Sequence, residues 1–134
     1  MTAEAKLVLV DTSAWIELLR GTDHAVRGIL ESLMVEDRVC LCAVVMAELI
    51  QGATTSNDLH AAEELGENLP MLKAEDKTWF EAGHMAQRLR QKGVTVGLLD
   101  CYLASLSIQH DCQLLTLDKH FPLIAKHSTL ELVS

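Results

Sequence analysis

Four apolar stretches of this chain each carry a lone charge, and every time that charge is a carboxylate. Asp11 is the only charged residue between positions 7 and 16, Glu48 between 41 and 57, and Asp100 between 94 and 109. Asp118 closes the apolar run at 114–117, with Lys119 directly after it. Taking a carboxylate out of water costs several kcal/mol unless something compensates. Ordinary ion pairing would need lone Lys or Arg residues in equivalent apolar settings, and the sequence has none. Three options remain: exposure at helix ends, protonation, or a cation shared among the acids. A cluster of hard oxygen ligands suits Mg²⁺ or Mn²⁺, and such a centre can hydrolyse a phosphodiester.

Taken singly, three of the acids have a simpler use. Asp11 and Asp100 each stand where a helix begins and could cap it, and Asp118 fits a turn. Glu48 falls mid-helix among Val44, Val45 and Leu49, where capping does not account for it. The shared site is the stronger reading because the simpler uses would all have to coincide.

The apolar pattern puts these acids on an alternating framework. Residues 6–11 read as a buried strand running into a turn, and Thr12 or Ser13 would cap a short helix to Arg20, ended by Gly21. Asp23 caps a helix to about position 35. Residues 38–43 form a second strand, and the helix over 44–51 stops at Gly52. Asn57 or Asp58 opens another helix, to position 64 or 65. Residues 68–72 make a third strand, at an edge because of Pro70. A long amphipathic helix covers 75–91 and ends at Lys92-Gly93; a further one covers roughly 98–110. Residues 112–117 are the fourth strand and 129–133 a candidate fifth, with no helix read between them. Apolar strands alternating with helices predict a parallel sheet of four to five strands covered on both faces. In such sheets sites form beyond the carboxyl ends of the strands, where Asp11 and Asp118 both stand.

Composition narrows the class. The 134 residues are 49% hydrophobic and 22% charged, which predicts one compact domain over positions 1–134. No repeat or Gly/Ser linker divides them. The longest apolar runs, such as 41–47, are too short to span a bilayer, and residues 1–6 lack the features of a secretion signal. A cytoplasmic protein without membrane contact is the expectation. Cys40 and Cys42 share a strand face, as a zinc knuckle might require, but no second pair matches them. With Cys101 and Cys112 they read as buried free thiols. A net charge of −8 argues against general binding along a nucleic-acid backbone, so any grip on phosphate must be local. Arg20, Lys119 and Lys126 are the candidate RNA contacts; Arg88, Arg90 and Lys92 read first as the wet face of a helix.

At its acids the chain resembles the PIN-domain family, and more narrowly the VapC-type toxins of toxin–antitoxin pairs. The matching segments are Val10-Asp-Thr-Ser-Ala-Trp-Ile16, Ala47-Glu-Leu-Ile-Gln-Gly52, Leu99-Asp-Cys-Tyr-Leu-Ala104 and Leu115-Thr-Leu-Asp-Lys-His-Phe121. Each is weak alone; the four in the family's order and spacing cover nearly the whole chain. The resemblance implies a Rossmann-like three-layer α/β/α domain with an acidic pocket for Mg²⁺ or Mn²⁺. It associates Asp11 and Asp100 most directly with metal, and lets Glu48 and Asp118 complete the catalytic set, directly or through water. Thr12, Ser13 and Thr116 match hydroxyl positions that support those ligands. Two departures occur, at Cys42-Ala43 before Glu48 and at Cys101-Tyr102 after Asp100, and neither removes a ligand.

The expected activity is metal-assisted hydrolysis of RNA, with Glu48 or Asp118 orienting the attacking water or taking its proton. His120 is expected to be solvated or at the substrate's edge. The resemblance also implies a homodimer and an antitoxin whose Arg could enter the acidic pocket. Two rivals stand beside this. A haloacid-dehalogenase-like phosphatase would use Asp11 as nucleophile, but its motif wants a second Asp where this chain has Ser13. A non-catalytic PIN scaffold that only binds a partner could dispense with its acids, whereas all four are present.

Overall fold

The computed structural model describes residues 5–21 and 23–133. Strand β1 (Val8–Val10) is fully buried and runs straight into helix α1 (Thr12–Arg20), followed by α2 (His24–Val35). Strand β2 (Val39–Cys42) leads into α3 (Ala43–Gly52) and α4 (Ser56–Asn68). Next come β3 (Met71–Leu72), α5 (Asp76–Gln91) and α6 (Leu98–Gln109). The chain finishes with β4 (Gln113–Leu115), α7 (His120–Lys126) and β5 (Glu131–Leu132). All neighbouring strands pair in parallel, in the order β3-β2-β1-β4-β5. This is the α/β architecture expected, with all five strands present and the Pro70 strand at an edge.

Why β1 lies at the centre follows from its residues. Val8, Leu9 and Val10 have no polar face to show water, so only a strand flanked on both edges and covered on both faces suits them. From β1 the chain passes to β2 on one side and reaches β4 on the other only after β3, α5 and α6. The strand order therefore reverses between β1 and β4, which opens a crevice beyond their carboxyl ends.

Several local expectations are corrected. Helix α1 is capped by Asp11, not by Thr12 or Ser13: the Asp11 side chain accepts from the Thr12 amide. Thr55 caps α4 by accepting from the Asp58 amide, in place of Asn57 or Asp58. Gly52 belongs to α3, whose end is set by extended Ala53; among described glycines only Gly21 and Gly93 take the left-handed conformation. Helix α7 has no counterpart in the sequence reading. It spans 7 residues and contains Pro122, but Pro122 falls in the first turn, where its missing N–H leaves no bond unmade. Phe121 and Ile124 anchor it in the core.

Helix α6 is the buried spine of one layer, with residues 101–107 all inaccessible. Its position is set partly by α5, where Trp79 stacks on Tyr102 with ring centroids 4.2 Å apart. Thr78, 1% exposed, accepts from the Glu75 amide at 3.2 Å and donates to Gln109 Oε1 at 2.6 Å. That one hydroxyl both starts α5 and ties it to the end of α6. Thr78→Val keeps the shape and removes the hydroxyl, leaving a helix-start amide and the exposed Gln109 side-chain carbonyl without this partner. It should lower unfolding stability by about 0.5–1.5 kcal/mol in urea titrations, with no change in far-ultraviolet circular dichroism.

Candidate metal centre

Asp11 ends β1 and is 6% exposed. Its Oδ1 accepts from the Thr12 amide at 2.7 Å, and its Oδ2 accepts from Ser13 Oγ at 2.9 Å and Thr116 Oγ1 at 2.7 Å. The two hydroxyls are themselves oriented. Ser13 Oγ accepts from the Leu117 amide at 3.0 Å, and Thr116 Oγ1 accepts from the Asp118 amide at 3.0 Å. Both protons are thus committed to Asp11, and the 3.4 Å approach of Ser13 Oγ to Thr116 Oγ1 carries none. The network spans the crevice, because Thr116 follows β4.

Glu48 stands mid-way along α3, half-buried, between buried Val45 and Leu49. Its Oε1 accepts from Thr12 Oγ1 at 3.1 Å, so Thr12 joins Glu48 to the segment that holds Asp11. Asp100 lies in the first turn of α6, and Asp118 in the loop between β4 and α7. His120, the first residue of α7, sits between them. Its Nδ1 is 3.1 Å from Asp100 Oδ2 and 3.3 Å from Asp118 Oδ1, and its backbone N–H donates to Asp118 Oδ1 at 2.9 Å. One ligand atom from each of Asp100, Asp118 and His120 lies within 4.8 Å of the others.

Electrostatics link this trio to Asp11. Burial pushes the Asp100 carboxyl above its ordinary value, the His120 hydrogen bond and charge oppose that, and the charges of Asp118 and Asp11 add to it. Glu48 and Asp11 likewise join burial in raising the Cys42 thiol. The residues suit a divalent cation on their own chemistry: carboxylate oxygens and one imidazole nitrogen converge where like charges repel.

The hydroxyls placed by resemblance beside the acids are there, with Thr12 on Glu48 and Ser13 and Thr116 on Asp11. His120 is half-exposed as expected of a solvated residue, but its ring contacts two acids. Only the two-residue spacing from Asp118 hinted at this, because α7 itself was not foreseen. The cations spread wider. Arg20 lines a groove of about 160 Å³ together with Glu48, Asp58, Ile16, Leu19 and Leu49. Lys119 adjoins Asp118, whereas Lys126 ends α7, about 9 Å further along the helix axis. Arg88 lines a separate groove with Ser105 and His127. All four cysteines are buried free thiols.

The class follows from the parallel sheet, the switch-point crevice and its acids: the chain belongs to the PIN domain family, whose model matches residues 8–127. It is 32% identical over 132 residues to Ribonuclease VapC11 of Mycobacterium tuberculosis, covering 96% of this chain and 98% of that protein. Ribonuclease VapC1 of Haemophilus influenzae is 25% identical over 114 residues, covering 82% and 85%. Among solved structures, VapBC-1 from nontypeable Haemophilus influenzae superposes with a TM-score of 0.76 at 22% identity, over 96% of this chain and 97% of that one. VapBC2 from Rickettsia felis, bound to a DNA fragment from its promoter, gives 0.75 at 21% identity, over 95% and 97%. The two structural matches bear on the fold alone.

The raised Asp100 carboxyl has a stability consequence of definite sign. The folded protein holds that proton more tightly than the unfolded chain. Ionised Asp100 therefore opposes folding once pH exceeds its raised value, and has no effect below the ordinary carboxylate range. In chelator, Asp100→Asn should melt at a higher temperature than the parent at neutral pH, and the two should converge in acid. A lower melting temperature at neutral pH would refute the account.

Proposed function

We propose that this chain is a metal-dependent ribonuclease that hydrolyses RNA phosphodiester bonds, acting as the toxin of a VapBC-type toxin–antitoxin pair. What supports the reading is a set of linked acids, with Thr12 bonded to Glu48 beside Asp11 and with Asp100 feeling the charges of Asp11 and Asp118, in a chain similar over nearly its full length to Ribonuclease VapC11. The domain is read as one unit over residues 1–134.

Asp100 and Asp118 would hold the ion, with Asp11 beside them and Glu48 reached through Thr12. A bound Mg²⁺ or Mn²⁺ would supply hydroxide from water near neutral pH and offset charge growing on the phosphate. The protein's own part is positional. Ser13, Thr116 and the Thr12 amide fix the Asp11 carboxylate so that it does not turn away from the crevice. Glu48, less buried and with one hydrogen bond described, is the group free to orient the attacking water or accept its proton. Arg20 and Lys119 are the cations near enough to hold RNA at the rim, with Lys126 reached by a longer strand.

The same geometry bears on the rivals. Ser13 spends its hydroxyl on Asp11 and offers no second carboxylate, which disfavours aspartyl-phosphate chemistry. A mere scaffold gains nothing from repelling acids, and here their hydrogen bonding is retained.

Partners follow from the same reading. The structural neighbours include VapBC complexes, which supports a small antitoxin as partner. Glu48 belongs both to the proposed acidic crevice and to the groove of mixed polar and apolar lining beside α1, α3 and α4. An antitoxin segment lying in that groove would bring an Arg to the carboxylates, where bidentate bonds replace metal. Such a complex would be built on a toxin homodimer.

The test is RNA cleavage by the purified chain with Mg²⁺ or Mn²⁺ and with chelator. Cleavage should stop in chelator, and Asp11→Asn should slow it by about 100-fold or more while remaining folded by circular dichroism. Cleavage indifferent to both would defeat the assignment.

A further inference from the structure

We infer that His120 is itself a ligand of the metal centre, and that its ring nitrogen makes the site prefer Mn²⁺ to Mg²⁺. The inference rests on the metal-dependent reading above and adds to it a residue and a selectivity.

The geometry is that of a coordination face. In an octahedral site with bonds of about 2.1 Å, adjacent ligand atoms lie about 3.0 Å apart. His120 Nδ1 stands 3.1 Å from Asp100 Oδ2 and 3.3 Å from Asp118 Oδ1. An ion on the open side of these three atoms meets two carboxylate oxygens and one imidazole nitrogen with little movement. The carrier of the ring is also fixed. The His120 amide donates to Asp118 Oδ1 at 2.9 Å, so carboxylate and imidazole enter the centre as one turn of chain at the start of α7. Buried Phe121 and Ile124 hold that helix in place.

A hydrogen bond from Nδ1–H, shared by the two carboxylates, produces the same distances without metal. The two arrangements differ in what they do to an ion. As a donor only, His120 competes with the metal and its loss tightens binding. As a ligand, it adds a nitrogen that Mg²⁺, a hard ion preferring oxygen and water, uses poorly. First-row transition cations take such a nitrogen more readily, with Mn²⁺ the weakest of that series and the simplest to follow by its spectrum.

The experiment compares the parent chain with His120→Ala, His120→Asn and Asp100→Asn. Calorimetry with Mn²⁺ and with Mg²⁺ gives affinities, and pulsed EPR of bound Mn²⁺ detects coupling to a ligand nitrogen. The parent should bind Mn²⁺ about tenfold more tightly than Mg²⁺ or better, with nitrogen coupling present. His120→Ala should lose the coupling and weaken Mn²⁺ by about tenfold or more, with a smaller change for Mg²⁺. His120→Asn, which returns an oxygen near the Nδ1 position, should recover Mg²⁺ binding but not the coupling. Asp100→Asn should weaken both ions. His120 begins a surface helix with a side chain 51% exposed, so its variants should melt like the parent. Bound Mn²⁺ without nitrogen coupling, or tighter Mn²⁺ binding by His120→Ala, would overturn the inference and leave the ribonuclease reading intact. A parent chain that binds neither ion would overturn both.

Discussion

The site depends on one buried carboxylate. Asp11 is held by three donors from two chain segments that meet only in the fold, the start of α1 and the loop after β4. Hydrogen bonds to a charged group contribute about 1.5–3 kcal/mol each. Three of them are of the size needed to offset the several kcal/mol that burial costs the charge. The same bonds tie the segment after β1 to that after β4, so Asp11 is at once a helix cap and a cross-loop tie, and on the proposed reading a wall of the metal centre. Two uses that looked like alternatives in the sequence are both realised by one side chain.

What lies around Asp11 is graded in rigidity. Asp11 is surrounded by donors, Glu48 has a single described bond from Thr12, and Asp100 and Asp118 share a half-exposed imidazole. Carboxylates that must accept a metal, shift with substrate or take a proton need freedom that a fully bonded group lacks. The order of constraint, from the sheet outward, is therefore the order in which the groups can take part in chemistry. Burial and like charges raise the Asp100 carboxyl, so the protein carries strain at its centre that a cation relieves. Sites of this kind trade stability for function.

Much of this was legible because a lone charge in an apolar run is physically expensive and so carries information. Glu48 in particular could not be explained by any local use, and Val8 to Val10 could hardly be anything but a central strand. The parallel sheet, with a site beyond the carboxyl ends of its strands, followed from the alternation of strands and helices; the strand order did not. Helix α7 was not legible, since seven residues with a proline offer too short a pattern to show a period. His120 was lost with it. A histidine has no cost signature like that of a buried acid, and its position becomes meaningful only once the turn after Asp118 is known. The cap of α1 stayed open for a related reason, whereas Asp23 and Gly21 took the cap positions expected: Thr12, Ser13 and Asp11 are adjacent and all suited to capping, and only the carboxylate's reach to the Thr12 amide decides among them.

An acidic protein that acts on an acidic polymer must solve its charge problem locally. At −8 the chain has no general attraction for RNA, and its cations near the crevice are few and on separate elements, Arg20 on α1 and Lys119 before α7. On the metal-dependent reading, the strongest positive feature available to a phosphate would be the bound ion, which would both draw the substrate and supply activated water. Metal and RNA binding would thereby be coupled, since without the ion the acids would repel a phosphate backbone. A partner's guanidinium in the same carboxylates would remove ion and attraction together, silencing the centre by occupancy without deforming the fold. His120 stands against two of those carboxylates, its Nδ1 3.1 Å from Asp100 Oδ2 and 3.3 Å from Asp118 Oδ1. A metal ion and a partner's guanidinium could thus satisfy the same oxygens, and which of them is bound would decide whether the centre is active or inhibited.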